Sequence, residues 1–256
     1  MIKLSNVSFS YDKKNNVLEN VNYTFKDSGL YGILARSGFG KTTFLNLVGG
    51  IYPPSSGSIT YSSNIKTIED NFSYIFQDNN LLENLTLYEN IEVFFRLINK
   101  EIDIDKVDST LDYLGIKRYK DIKVKDISGG ERQRVSIAIA ILKDSKVIIA
   151  DEPFSSLDKD NSIKIMEIFK ELSKDRLIIF TTHNSDLAYE YSDHILDLEH
   201  GLDDVSFDVN LVERAKNKKV LGFSSLFFIS KKLFNHNVLQ LIFSILIIIY
   251  HQNHGN

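Results

Sequence analysis

Gly32-Ile33-Leu34-Ala35-Arg36-Ser37-Gly38-Phe39-Gly40-Lys41-Thr42-Thr43 sets the terms for the rest of this 256-residue chain. The apolar residues Leu30, Tyr31, Ile33 and Leu34 predict a buried strand, and Phe44, Leu45, Leu47 and Val48 predict a helix that Gly49 and Gly50 close. A glycine-bearing loop between strand and helix turns its N–H groups inward, and the helix N-terminus adds the positive end of its dipole. Such a loop suits phosphate. Lys41 would reach the β- and γ-phosphates of a nucleotide, and the Thr42 hydroxyl would take a place on Mg²⁺. The pattern asks for glycine at its first position, where this chain has Ala35. A methyl group is tolerable there if φ is negative, while Gly38 and Gly40 keep the freedom nearer the phosphates. The bland alternative is an ordinary glycine-rich strand–helix turn.

Working outward, residues 1–30 alternate as strands do. Ile2 and Leu4, then Val7, Phe9 and Tyr11, then Val21, Tyr23 and Phe25 share faces at period two, interrupted by a polar turn from Asp12 to Asn16. Pro53-Pro54-Ser55-Ser56-Gly57 is a turn, followed by short strands over 58–61 and 72–76. From about Leu85 to Lys143 the pattern is helical. Strands return over 147–150, 177–181 and 195–198, with a helix over about 159–173. Strand–helix–strand alternation with short loops predicts a parallel sheet covered on both faces.

Composition narrows the class. Hydrophobic residues make up 43% and charged residues 25%, the balance of a soluble globular protein long enough to bury a core. With no cysteine, disulfides and thiolate metal sites are excluded. Met1 to Ser5 lacks the apolar segment of a signal peptide, so a cytosolic position is expected. The net charge of −4 hides an asymmetry: after Glu213 come six basic residues and no acid, so the body holds all 34 acidic residues. An acidic body argues against nucleic acid as a partner. A basic tail with apolar runs argues for a membrane surface.

Two further stretches carry chemistry. In Val147-Ile148-Ile149-Ala150-Asp151-Glu152-Pro153, a buried strand delivers two carboxylates to its C-terminal end, where open α/β sheets bind ligands. Asp151 suits Mg²⁺ coordination through water, and Glu152 is placed to orient or deprotonate an attacking water. A solvated strand end is the alternative. In Ile127-Ser128-Gly129-Gly130-Glu131-Arg132-Gln133-Arg134, Ser128 and Glu131 are spaced as a capping box. A cap alone does not need two glycines. Ser128, Gly129 and Gly130 expose N–H groups at a helix start, a second anion site in one chain.

With these three stretches in this order, the chain resembles the nucleotide-binding domain of ATP-binding cassette (ABC) proteins over about residues 1–205. The usual signature, Leu-Ser-Gly-Gly-Gln, has Ile127 and Glu131 at its outer positions here. Glu131 resembles the exporter branches that handle lipoproteins, macrolides or bacteriocins. The resemblance implies an α/β P-loop NTPase of ABC type: a mostly parallel sheet core, an antiparallel β subdomain and a helical signature subdomain over about 80–143, together filling 1–210. It implies ATP and Mg²⁺ as ligands, with Arg36, Ser37, Gly38, Phe39, Gly40, Lys41, Thr42 and Thr43 around the phosphates. Tyr11 would stack on adenine, although a core-facing strand aromatic remains open. Gln77 would contact Mg²⁺ and the attacking water, His183 the γ-phosphate, and Ser155-Ser156-Leu157-Asp158 the opposite subunit. Histidines 194, 200, 236, 251 and 254 have no such context.

The resemblance also implies partners. Two cassettes, in a homodimer or heterodimer, would meet head to tail with ATP between the phosphate loop of one and Ser128-Gly129-Gly130 of the other. They would power a transmembrane permease, as a subunit or a fused domain, from the cytoplasmic face of the membrane. A non-transport ABC ATPase and a degenerate regulatory cassette are the rival readings. In the tail, 211–256, the run from Val238 to Tyr250 is apolar except for Gln240 and Ser244. As a helix it would span about 20 Å, short of the roughly 30 Å hydrocarbon core. It looks like the start of a membrane-spanning domain, or else a buried or dimer-forming helix.

Overall fold

The computed structural model describes residues 1–63, 65, 71–77, 80–155 and 157–199. Two sheets organise them. Strands β1 (Ile2–Phe9), β2 (Leu18–Phe25) and β4 (Ser56–Tyr61) form an antiparallel sheet in the order β2-β1-β4. Strands β3 (Gly29–Leu34), β5 (Phe72–Ile75), β6 (Val147–Ala150), β7 (Leu177–Thr182) and β8 (His194–Asp197) form a parallel sheet in the order β5-β6-β7-β3-β8. Helix α1 (Lys41–Val48) follows β3 directly.

The apolar run of each parallel strand is split by the pleat. Val147 and Ile149, Leu177 and Ile179, and Tyr31 and Ile33 pack on one side with α1 and the antiparallel sheet. Ile148 and Ala150, Ile178 and Phe180, and Leu30 pack on the other side with the helices that follow β5. Both faces are buried, as continuous apolar strands require. Those helices are α2 (Leu87–Leu97), α3 (Ile104–Tyr113) and α4 (Gly129–Lys143), with α5 (Lys159–Leu172) and α6 (Ser185–Tyr191) later in the chain.

Two local devices modify the sequence expectation. The period-two pattern of β1 skips from Leu4 to Val7 because a bulge intervenes, with Asn6 at φ 51°. Gly57 of β4 passes so close that a Cβ on it would lie 2.2 Å from the Asn6 carbonyl oxygen. Tyr11 is not part of the strand: β1 ends at Phe9, and Asp12 Oδ1 accepts from the N–H groups of Lys14 and Asn15, both at 2.8 Å. These bonds close a turn and hold the Asp12 carboxyl far below the usual carboxylate range. Helix α6 has seven residues and buries only Leu187 and Ala188, too little for a readable helical stripe.

Candidate nucleotide site

The site forms where β3, β5, β6 and β7 end together. Gly40 caps α1 in the left-handed region, φ 87°, so the chain can turn from loop into helix at a residue with no Cβ to clash. Ala35 has no positive φ, in keeping with a methyl group tolerated at that point. Lys41 Nζ donates to the Ala35 carbonyl at 2.8 Å and lies 3.3 Å from Glu152 Oε1.

Across the loop, β6 presents its two carboxylates in different settings. Asp151 Oδ2 accepts from the Thr42 hydroxyl at 2.6 Å, and Oδ1 accepts from the Thr181 hydroxyl at 2.5 Å. Its N–H donates to the Ile75 carbonyl, which ties the end of β6 to the end of β5. Glu152 turns out of the strand at φ 46° and donates its N–H to Thr181 Oγ1 at 2.9 Å. Its carboxylate lies between two nitrogen-bearing side chains: Lys41 Nζ beside one oxygen, and His183 Nδ1 at 2.9 Å from the other.

A cavity of about 400 Å³ gathers Tyr11, Ser37, Gly38, Gly40, Lys41, Thr42, Thr43, Gln77, Asp151 and Glu152. Tyr11 is 62% exposed at its rim. Its hydroxyl meets Thr43 Oγ1 at 2.9 Å, and its ring stands edge-on to Phe9 and Tyr52. It is no core aromatic. His183 lines a neighbouring cavity of about 290 Å³ with Ala35, Arg36 and Glu199. Phe39 is exposed at the loop tip.

Ser128, Gly129 and Gly130 are not among the residues lining either cavity. Ser128 and Gly129 are exposed at the start of α4, with Ser128 as N-cap. The capping box is complete: Ser128 N–H donates to Glu131 Oε2 at 2.8 Å, and Glu131 N–H donates to Ser128 Oγ at 3.3 Å. Asp158 likewise caps α5 by accepting from the Asn161 N–H at 2.9 Å. His194 stacks on Tyr31. Ser156, His200, His236, His251, His254 and the tail 211–256 lie outside the described residues.

Two contributors escape the sequence reading. Thr181 joins β6 to β7 through both of its hydroxyl bonds, and only its place two residues before His183 hints at a role. The Ala35 carbonyl, as a partner of Lys41, has no side-chain signal at all.

The sequence model of the ABC transporter family matches residues 18–155, a span that holds the phosphate loop, the start of α4 and the Asp151–Glu152 strand end. The chain belongs to the ABC transporter family. It is 34% identical over 223 residues to the phosphonates import ATP-binding protein PhnC of Fusobacterium nucleatum, covering 78% of this chain and 90% of that one. It is 33% identical over 214 residues to the lipoprotein-releasing system ATP-binding protein LolD of Rickettsia bellii, covering 78% and 96%. Among solved structures, the dimeric ATP-binding cassette MJ0796 in a post-hydrolysis state bound to ADP and Pi matches with a TM-score of 0.68 and 28% identity, over 77% of this chain and 94% of that one. The fold is that of an ABC-type P-loop NTPase. This ABC chain is an ATPase, the ATP-binding subunit of a transporter.

Proposed function

We propose that this chain powers an ABC exporter from the cytoplasmic face of a membrane, as one of two cassettes that close head to tail on ATP beneath a permease. The observation that carries the nucleotide half is the single cavity in which Tyr11, the phosphate loop, Gln77, Asp151 and Glu152 meet. In this reading the N–H groups of 37–43 and Lys41 hold the phosphates, and Tyr11 offers its exposed ring to the adenine. Glu152 takes a proton from the attacking water, and His183, whose Nδ1 lies 2.9 Å from Glu152 Oε2, orients that carboxylate and meets the γ-phosphate.

Thr42, Asp151 and Gln77 offer hard oxygen atoms on one wall, a donor set that fits Mg²⁺. Bound there, the ion would neutralise charge on the phosphate oxygens. The second anion site, Ser128-Gly129-Gly130, faces solvent at a helix N-terminus, free to meet the nucleotide of another cassette. That second cassette is supported by the dimeric state named for the MJ0796 structure.

Export is supported by Glu131 at the fifth signature position and by the similarity to the lipoprotein-releasing relative. The phosphonate-import relative carries the opposite direction. Inside-out vesicles bearing the chain with its permease decide between them. ATP-driven accumulation of substrate in the lumen is the expected result, with ATP hydrolysed in step. ATP-driven loss from the lumen overturns export, and a chain that binds ATP without turning it over makes the cassette regulatory.

A further inference from the structure

Glu199 stands just beyond β8, is only 11% exposed, and lines the cavity beside His183. Its Oε1 accepts from the Arg36 backbone N–H at 2.5 Å, and its Oε2 from Arg36 Nε at 2.6 Å. Strands β8 and β3 bring the two together: their parallel pairing runs to Leu34 and Asp197, and the Leu198 N–H then donates to the Leu34 carbonyl at 3.0 Å. Glu199 is itself fixed by its own N–H, which donates to Asp197 Oδ1 at 2.9 Å.

The guanidinium contact is a weak candidate for the main effect. Arg36 is 82% exposed, and ion pairs in that setting contribute little. The backbone contact is different. The N–H of Arg36 and the carbonyl of Ala35 are two ends of one planar peptide unit, and that carbonyl accepts from Lys41 Nζ at 2.8 Å. A trans peptide points its C=O and N–H in opposite directions, so fixing one end fixes the other.

We propose that Glu199 is a positioning residue for the phosphate loop: by holding the Ala35–Arg36 peptide through its N–H, it aims the Ala35 carbonyl and so sets where Lys41 carries its charge. Glu199 touches no substrate and acts through Lys41. The proposal rests on the reading of Lys41 as the phosphate-binding lysine. It also gives Ala35 a physical context, since a loop without glycine at its first position is held there by a side chain from just beyond a neighbouring strand.

Glu199→Ala and Glu199→Gln separate this from a structural role, because the Gln amide oxygen can still accept from the Arg36 N–H while the charge is gone. Steady-state ATP hydrolysis and equilibrium binding of a fluorescent ATP analogue are measured on the full chain, with thermal denaturation alongside. The Ala variant is expected to raise KM for ATP and weaken analogue binding by about tenfold, the scale of one hydrogen bond to a charged acceptor, and the Gln variant to return to within about threefold of the parent. An Ala variant with unchanged KM and analogue affinity overturns the proposal, whether or not its melting temperature falls. A Gln variant as impaired as the Ala variant overturns it too, because charge and not peptide orientation would then be at work. A parent that neither binds the analogue nor hydrolyses ATP removes the reading of Lys41, and the proposal falls with it.

Discussion

Glu152 is the residue on which most of the local geometry converges. One carboxylate oxygen lies 3.3 Å from Lys41 and the other 2.9 Å from His183. Glu152→Gln keeps the shape and removes the charge. Hydrolysis should fall at least about 10²-fold, the usual scale for loss of a general base. Nucleotide binding should be kept, because Lys41 loses a carboxylate that competes for it. The variant is expected to accumulate as an ATP-bound dimer, read by size-exclusion chromatography at saturating ATP. Turnover within a few-fold of the parent would remove Glu152 as the base. At this scale the sequence was informative wherever chemistry and strand ends coincide, as at Asp151 and Glu152. It was silent on Thr181 and Glu199, whose partners come just after the ends of neighbouring strands: Asp151 and Glu152 after β6, beside β7, and Arg36 after β3, beside β8. Strand order in the sheet is not chain order, so neither pairing could be read from spacing along the chain.

At the scale of elements, the start of α4 combines a cap with an exposed pair of glycines. Burial pushes the Glu131 carboxyl up, but hydrogen bonds from Tyr119 and Ser128 and the charge of Arg134 outweigh it and hold the group below its ordinary 4.5. A carboxylate lowered on folding contributes stability above its unfolded pKa and loses it as pH falls through the folded value. Glu131→Gln should therefore melt below the parent at neutral pH, with the gap narrowing once pH drops beneath the ordinary glutamate value. Differential scanning calorimetry from neutral to acid pH reads this, and a gap constant across the range would remove the charge from the cap's contribution. Here the capping box was legible from Ser128 and Glu131 alone, because a cap is local. The bulge at Asn6 shows in the sequence only as a slipped alternation between Leu4 and Val7, since the backbone it meets, at Gly57, comes from a strand fifty residues on. Tyr11 reads as the end of a strand, but β1 stops at Phe9 and the bonds to Asp12 close a turn immediately after Tyr11.

Taken whole, the chain is an acidic cassette followed by a basic, partly apolar tail. Among the described residues no helix is long and apolar enough to cross a membrane, and the tail lies outside them. The tail is proposed to direct the cassette to lipid. Its apolar side chains would each contribute on the order of 1.5–3 kcal/mol at best on burial, and lysines near anionic lipid about 1 kcal/mol each. The full chain should sediment with anionic liposomes, and a version ending near Lys219 should stay in the supernatant while still hydrolysing ATP. A full chain that ignores liposomes would leave the tail packed against protein. The sheet order has a further consequence, for synthesis on the ribosome. The strand that ends at the phosphate loop, β3, pairs only with β7 and β8 among the described strands, and Gly29 meets Leu177. At roughly 5–20 residues per second, translation leaves β3 without a sheet neighbour for on the order of ten seconds. A nascent chain therefore carries its lysine and glycines long before it has a site, and the nucleotide cannot act as a ligand that guides early folding. During that interval Leu30, Tyr31 and Ile33 lack the strand neighbours beside which they are buried in the finished fold.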